Sequence, residues 1–310
     1  MGSELSARHP VTVVGYQPEP HGADALSLAV LVARLYRSPL LVAAVHPPDW
    51  PVHGKGSADH ELTVHLRDRA AEALDEARTR LPADIAATAS VIARESRGGG
   101  RGLAELLDDC KAEQVVIGSA PGGPAGRIAL GSTAARLLHG APCAVFLAPD
   151  GYAERAPSGF DRITVAYRPT PECMAAVGLA ASAAEALRAP LRLLTLIPGV
   201  YTGQPQLLTP AGLSTEWTAV RLIREQAEHD LAHQVAALRG DLDVESAVAV
   251  GPDVAGALAP LDFAPGELVM LASSTAGPHR RVFIGDAAMK IVRGVPCPVA
   301  VLPRTALRAA

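Results

Sequence analysis

The stretch Gly118-Ser119-Ala120-Pro121-Gly122-Gly123-Pro124-Ala125-Gly126-Arg127-Ile128-Ala129-Leu130-Gly131-Ser132 decides how this chain folds. It begins where the apolar segment 114–117 stops, and at Gly131-Ser132 it gives way to an amphipathic pattern of Ala134, Ala135, Leu137 and Leu138. That order reads as strand, glycine-rich loop, helix. Free N–H groups at a helix N-terminus face outward and the helix dipole favours an anion, so such an arrangement suits phosphate. The frame recurs 154 residues later, where 281–286 opens a helix and Gly294-Val295-Pro296-Cys297-Pro298-Val299 leads into a last strand. The chain is a repeat, and its two copies differ at this loop.

Working outward, 310 residues accommodate two domains of about 150 residues, each large enough to bury a core. A composition of 49% hydrophobic and 19% charged residues, with a net charge of -4, fits a globular protein and argues against nucleic acid as a partner. The longest apolar run, 175–200, is interrupted by Glu185, Arg188 and Arg192, so no membrane span is expected. The opening residues lack the basic and apolar regions of a secretory signal. Cys110, Cys143, Cys173 and Cys297 show no Cys-x-x-Cys spacing and read as thiols of a cytoplasmic protein.

In chain order, 11–15 reads as a strand, 17–20 as a Pro-rich turn, 23–37 as a helix and 40–45 as a second strand. A Pro- and Gly-containing loop (46–60) precedes a long helix (61–81), a third strand (86–93), a glycine-rich turn (97–101) and a helix (102–112). After the fourth strand and the opening loop come a helix (132–139) and a fifth strand (143–147). The same order resumes after Pro157, which predicts domains 9–149 and 159–304 joined by a linker 150–158. Strands alternating with helices imply one parallel sheet per repeat, with right-handed crossovers. Ligands of such sheets bind beyond the carboxyl ends of the strands where strand order reverses, here around Gln17 and Gly118.

These residues resemble the universal stress protein family in its tandem two-domain form, over nearly the whole chain. The resemblance implies an α/β fold of two tandem domains, each a five-stranded parallel sheet of order 3-2-1-4-5 with helices on both faces. The family signature is Gly-x2-Gly-x9-Gly-Ser/Thr; Gly118 takes the first glycine, Gly131-Ser132 the last pair, and Pro121 stands where the second glycine belongs, with Gly122 one residue late. In family members that bind ATP this loop holds phosphates and ribose, while the ends of strands one and two hold the adenosine. Carried over, the nucleotide-binding residues are Gln17, Val45, Ile117, Gly118, Gly122, Gly131, Ser132 and Thr133. Gln17 replaces the family's Asp and keeps hydrogen-bonding capacity without a carboxylate. In repeat two Ala272, Thr275, Asp286 and Arg168 replace the corresponding positions, and Asp286 would repel a phosphate.

His229 and His233 share a helix face without a third ligand, and His46, His53, His60 and His65 fit no ligand frame, so no metal is expected. Arg281 matches Arg127, which points to one structural role for both. No nucleophile–base pair is discernible around Ser132. The resemblance therefore implies a non-catalytic, cytoplasmic stress-response or signalling module that binds ATP through domain 1 only, with a protein partner of unknown kind. It also implies an internal pseudo-dimer built through the last strand of each repeat; a homodimer of whole chains is a second arrangement. The alternatives are an adenine-nucleotide hydrolase or transferase of the same fold, and a nucleotide-independent interaction scaffold.

Overall fold

The computed structural model describes residues 11–48, 58–155, 157–199, 215–238, 242–274 and 281–304. The first repeat runs β1 (Thr12–Gly15), α1 (Pro20–Tyr36), β2 (Leu40–His46), α2 (Ala58–Arg80), α3 (Ala83–Ala86), β3 (Ser90–Glu95), α4 (Gly99–Cys110), β4 (Gln114–Gly118), α5 (Ser132–Leu138) and β5 (Ala144–Ala148). A short helix α6 (Tyr152–Arg155) connects it to β6 (Arg162–Ala166), α7 (Pro171–Leu187), β7 (Leu191–Pro198), α8 (Thr215–Ala237), β8 (Val244–Gly251), α9 (Val254–Leu258), β9 (Glu267–Ala272), α10 (Asp286–Gly294) and β10 (Val299–Leu302).

All strands within each repeat pair in parallel, in the order β3-β2-β1-β4-β5 for the first and β8-β7-β6-β9-β10 for the second. The last strands, β5 and β10, meet antiparallel through Leu147–Val299, Phe146–Ala300 and Val145–Val301, which joins both repeats in one ten-stranded sheet. The central strands read as continuous apolar runs because helices cover both faces. Successive side chains point to opposite faces: Val14, Val116 and Phe146 pack under α1, whereas Val13, Val115 and Val145 pack under α4 and α5. Phe146 is fully buried and meets the ring of Tyr36 edge-on at 6.2 Å between centroids.

α1 and α2 each begin three residues earlier than the sequence expectation, at Pro20 and Ala58, and two further boundaries differ for a tertiary reason. The third strand lies at Ser90–Glu95 rather than 86–93, because 83–86 forms the extra helical turn α3. Asp84 in that turn accepts from Arg34 of α1 at 2.9 and 3.0 Å, an anchor between residues far apart in sequence. The 97–101 stretch is not a turn ahead of a helix starting at Gly102, since α4 itself begins at Gly99. Glycine there is a packing requirement: a Cβ on Gly100 would sit 3.0 Å from Thr133 Cα, and one on Gly102 would meet Val45 at 2.8 Å.

The segment expected as a plain linker holds α6, whose start is capped from the first repeat. Buried Asp24 of α1 accepts from the N–H of Gly151 at 3.0 Å and of Ala153 at 2.7 Å. Among the described residues no helix is long and apolar enough to cross a membrane.

Candidate functional site

β1 and β4 are neighbours in the sheet, but their chains leave it in opposite directions, β1 toward α1 and β2, β4 toward α5 and β5. The connections separate there and leave a crevice beyond the strand ends. A cavity of about 280 Å³ occupies it, lined by the ends of β1 and β2, the start of α1, the start of α4, residues 117–121 and the start of α5. That volume is near the lower edge of the roughly 300–1,000 Å³ of small-molecule pockets.

Backbone contact builds this crevice. A Cβ on Gly22 would meet the Gln17 carbonyl oxygen at 1.8 Å, and one on Gly118 would meet the His21 carbonyl oxygen at 2.1 Å. Only glycine lets the end of β4 lie against the first turn of α1. Ser119 then braces the loop: its Oγ accepts the Ala129 N–H at 2.9 Å, while the Ala120 N–H donates to the Ala129 carbonyl at 2.9 Å.

Three helix starts converge on the space, and α1 opens with Pro20, which has no N–H, so α4 and α5 matter most. α5 follows Gly131, which provides no side-chain cap, and its first intrahelical bond runs from Ala135 N–H to Gly131 O at 2.9 Å. The N–H groups of Ser132, Thr133 and Ala134 precede that bond, so they lack a partner in the helix. α4 follows Gly98, again without a side-chain cap, and Gly99 lines the cavity. No Asp, Glu, Lys or Arg lines it. The field there is set by backbone N–H groups and helix dipoles, an arrangement that favours an anion.

Seven of the eight residues named from sequence line this cavity: Gln17, Val45, Ile117, Gly118, Gly131, Ser132 and Thr133. Gly122 does not. It lies outside the cavity at φ 78° with open space around it, following Pro121 in the order that a type II turn uses. The loop takes Pro121 to the cavity and turns Gly122 out toward solvent, so Gly122 does not substitute for the displaced glycine. Sequence reasoning passed over His21, Ser119 and Leu103, which also line the cavity together with Gly99 of the glycine-rich 97–101 stretch. Ser119 had a visible signal, because Ser273 stands 154 positions later and its Oγ likewise accepts from the loop, from the Phe283 N–H at 3.4 Å.

The model of the universal stress protein family matches residues 11–149 and 159–303. The chain belongs to the universal stress protein family. A universal stress protein of Mycobacterium bovis is 32% identical over 296 residues, spanning 94% of this chain and 99% of that protein. One from Mycobacterium tuberculosis matches to the same extent. The crystal structure of a universal stress protein from Archaeoglobus fulgidus superposes with a TM-score of 0.58 at 16% identity, covering 95% of this chain and 98% of that one. A putative universal stress protein from Pseudomonas aeruginosa gives 0.55 at 15% identity over 97% and 96% of the two chains. At such identities the structures speak for the fold alone.

The second repeat of this universal stress protein treats its helix starts differently. α9, the counterpart of α4, is capped by Asp253, whose Oδ1 accepts the Gly256 N–H at 2.7 Å. α10, the counterpart of α5, opens with Asp286. Thr275 lies outside the described residues. Among the described residues the one group with metal-ligand character is His21, Asp24 and Asp150, where Asp24 already serves as the cap of α6. His21 Nδ1 lies 3.5 Å from Asp150 Oδ1 without making a hydrogen bond. His229 and His233 are exposed on α8, and His46 Nδ1 lies 3.0 Å from its neighbour's carbonyl at Pro47. His65 is exposed on α2, whereas His53 and the side chain of His60 lie outside the described residues.

Proposed function

We propose that this protein is a non-catalytic stress-response or signalling module that binds ATP through its first domain, residues 9–149, and not through its second, 159–304. One observation carries the reading: the cavity of the first repeat gathers the uncapped starts of α4 and α5 and is lined by no carboxylate. Phosphates are suited to the N–H groups of Ser132 and Thr133, and Gly118 allows the backbone to come close. Val45 and Gln17, at the ends of β2 and β1, provide the wall on which adenosine would rest. No ligand metal is required, because the helix N-termini supply the positive field.

Asp253 and Asp286 speak against nucleotide in the second domain, since one occupies the helix cap and the other adds negative charge. The cavity of the first domain offers Ser119, Ser132 and Thr133 as hydroxyls and His21 as the sole imidazole. Among the described residues none of these hydroxyls is hydrogen-bonded to His21, which supports a site without a protein nucleophile.

Mass spectrometry of ligand released from the denatured protein, together with melting of the intact chain in millimolar ATP, tests the reading. Stabilisation by ATP is expected, because a ligand that binds only the native state stabilises it. An unchanged melting temperature overturns the nucleotide half. Steady turnover of ATP that is abolished in Ser132→Ala overturns the non-catalytic half.

A further inference from the structure

The second repeat has its own cavity, and its walls are of another kind. Its volume is about 930 Å³, more than three times the roughly 280 Å³ of the first. Leu196 and Ile197 of β7, Val254 of α9, Ile291 of α10, and Leu222 and Ile223 of α8 line it. Leu222 and Ile223 are 55% and 53% exposed, among the few large apolar side chains so open to water in the described residues. Large apolar surface facing an empty, roomy space is the signature of a small-molecule pocket and unfavourable to leave hydrated.

Three of the four charged groups around that space are acidic. Glu172, Asp230 and Asp286 line it, with Arg168 the single cation. Glu172 is matched by Arg304 at 3.4 Å, and Asp230 accepts only the amide of Gln226 at 2.8 Å. Asp286 makes no hydrogen bond or ion pair among the described residues. It stands where the first repeat has Ser132, and its full negative charge exceeds the roughly half charge of the helix start behind it. Arg168 stands where the first repeat has Gln17. The end that accepts an anion in one repeat thus presents an anion in the other.

We propose that this cavity is a second binding site, for an apolar small molecule that carries a protonated amine. The hydrocarbon body lies between α8 and the sheet, against Leu222, Ile223 and Ile197, while the ammonium faces Asp286 and Asp230. The same two carboxylates disfavour a phosphorylated ligand, against the single cation Arg168. The chain would then sense two chemically opposite ligands with one fold.

Titration calorimetry on the whole chain with 1-naphthylmethylamine and 1-naphthoate, which share a ring system and differ in the sign of charge, tests this. The amine is expected to bind one site about two- to fivefold tighter than the carboxylate, the scale of a solvent-exposed charge contact. Asp286→Ser, which copies the first repeat, should bring the two affinities together, and Ala288→Trp should fill the space and remove both. Circular dichroism checks that both variants keep their helices. Equal affinity for the two ligands in the wild-type chain, or no binding of either, overturns the proposal without any variant. Displacement of the amine by ATP also overturns it and gives the cavity to nucleotide. Loss of ATP binding in the first repeat leaves this result untouched.

Discussion

Arg281 of the second repeat donates from Nη1 to the carbonyl oxygen of Gly140 in the first, at 2.7 Å. Arg127, 154 positions earlier, donates in return to the carbonyl of Gly294, the counterpart of Gly140. Each arginine leaves its own nucleotide-type loop and caps the end of the last helix of the other repeat. Cations suit helix C-termini, where carbonyls are left without partners. The second loop also lays backbone across the seam, with Val282 N–H on Ala141 O at 2.8 Å and Ile284 N–H on Leu138 O at 3.0 Å. Loop and inter-repeat seam are therefore one mechanical unit.

Replacing Arg127 by Ala should destabilise the chain by about 1 kcal/mol, the net worth of one such hydrogen bond. Arg281→Ala should cost less, because Arg281 is 44% exposed and its ion pair with Asp108 at 3.3 Å is screened by solvent. Urea denaturation reads both, and equal losses would contradict the difference in exposure.

Ser132→Asp transplants the acid of the second repeat into the first. At a hundredfold excess over its dissociation constant, ATP should stabilise the wild-type chain by about 2.7 kcal/mol. The variant should lose that stabilisation while keeping its unliganded stability, since an acid is tolerated at a helix start. Melting curves with and without ATP decide it.

Glu267 is fully buried and held by two arginines, Arg162 at 2.6 Å and Arg192 at 2.5 Å, with Arg192 stacked 5.0 Å over the ring of Phe263. Burial lowers the pKa of Arg192 by disfavouring its charge. Removing the carboxylate leaves buried Arg192 without an anion and Arg162 with only Glu245 at 3.8 Å, so Glu267→Ala should cost about 3–5 kcal/mol. A denaturant midpoint close to wild type would refute this.

Asp24 has its pKa raised, chiefly by burial, while the Ala153 and Gly151 amides pull the other way. With a folded pKa above the unfolded one, its contribution is fully present below the unfolded value, ordinarily about 3.9, and is lost as pH rises through the folded value. Asp24→Asn cannot titrate, so its deficit against wild type should shrink between pH 4 and pH 7. Denaturation at the two pH values measures the slope.

Cys143 and Cys297 are buried, and burial pushes both thiols far above their usual pKa. Ellman's reagent should leave both unlabelled in the native chain and reach all four cysteines in denaturant. Native labelling of four thiols would show the seam opening.

The residues themselves announced the repeat, the parallel strands and the crevice after β1 and β4, because these depend on local patterns: apolar runs, helical spacing and glycines at a constant offset of 154. Seven cavity residues were carried over from the family resemblance onto that frame. The eighth, Gly122, lies outside the cavity because a loop containing two prolines sets its own turns, and its φ of 78° belongs to that turn. The start of α4 was hidden for a related reason. Glycine reads as a turn signal in isolation, but here Gly100 and Gly102 are small so that Thr133 and Val45 can approach.

What the sequence determined alone is the repeat: two copies of one α/β plan, with strands and helices following one another in the same chain order. What tertiary structure decided is which backbone groups face the ligand. Asp253 caps its helix in the second repeat while Gly98 leaves the equivalent one open in the first. Whether Ser132 or Asp286 fronts a small polar cavity or a large apolar one depends on side chains from four or five separated segments. Burial and hydrogen bonding between distant residues set those differences, and no local pattern in the chain encodes them.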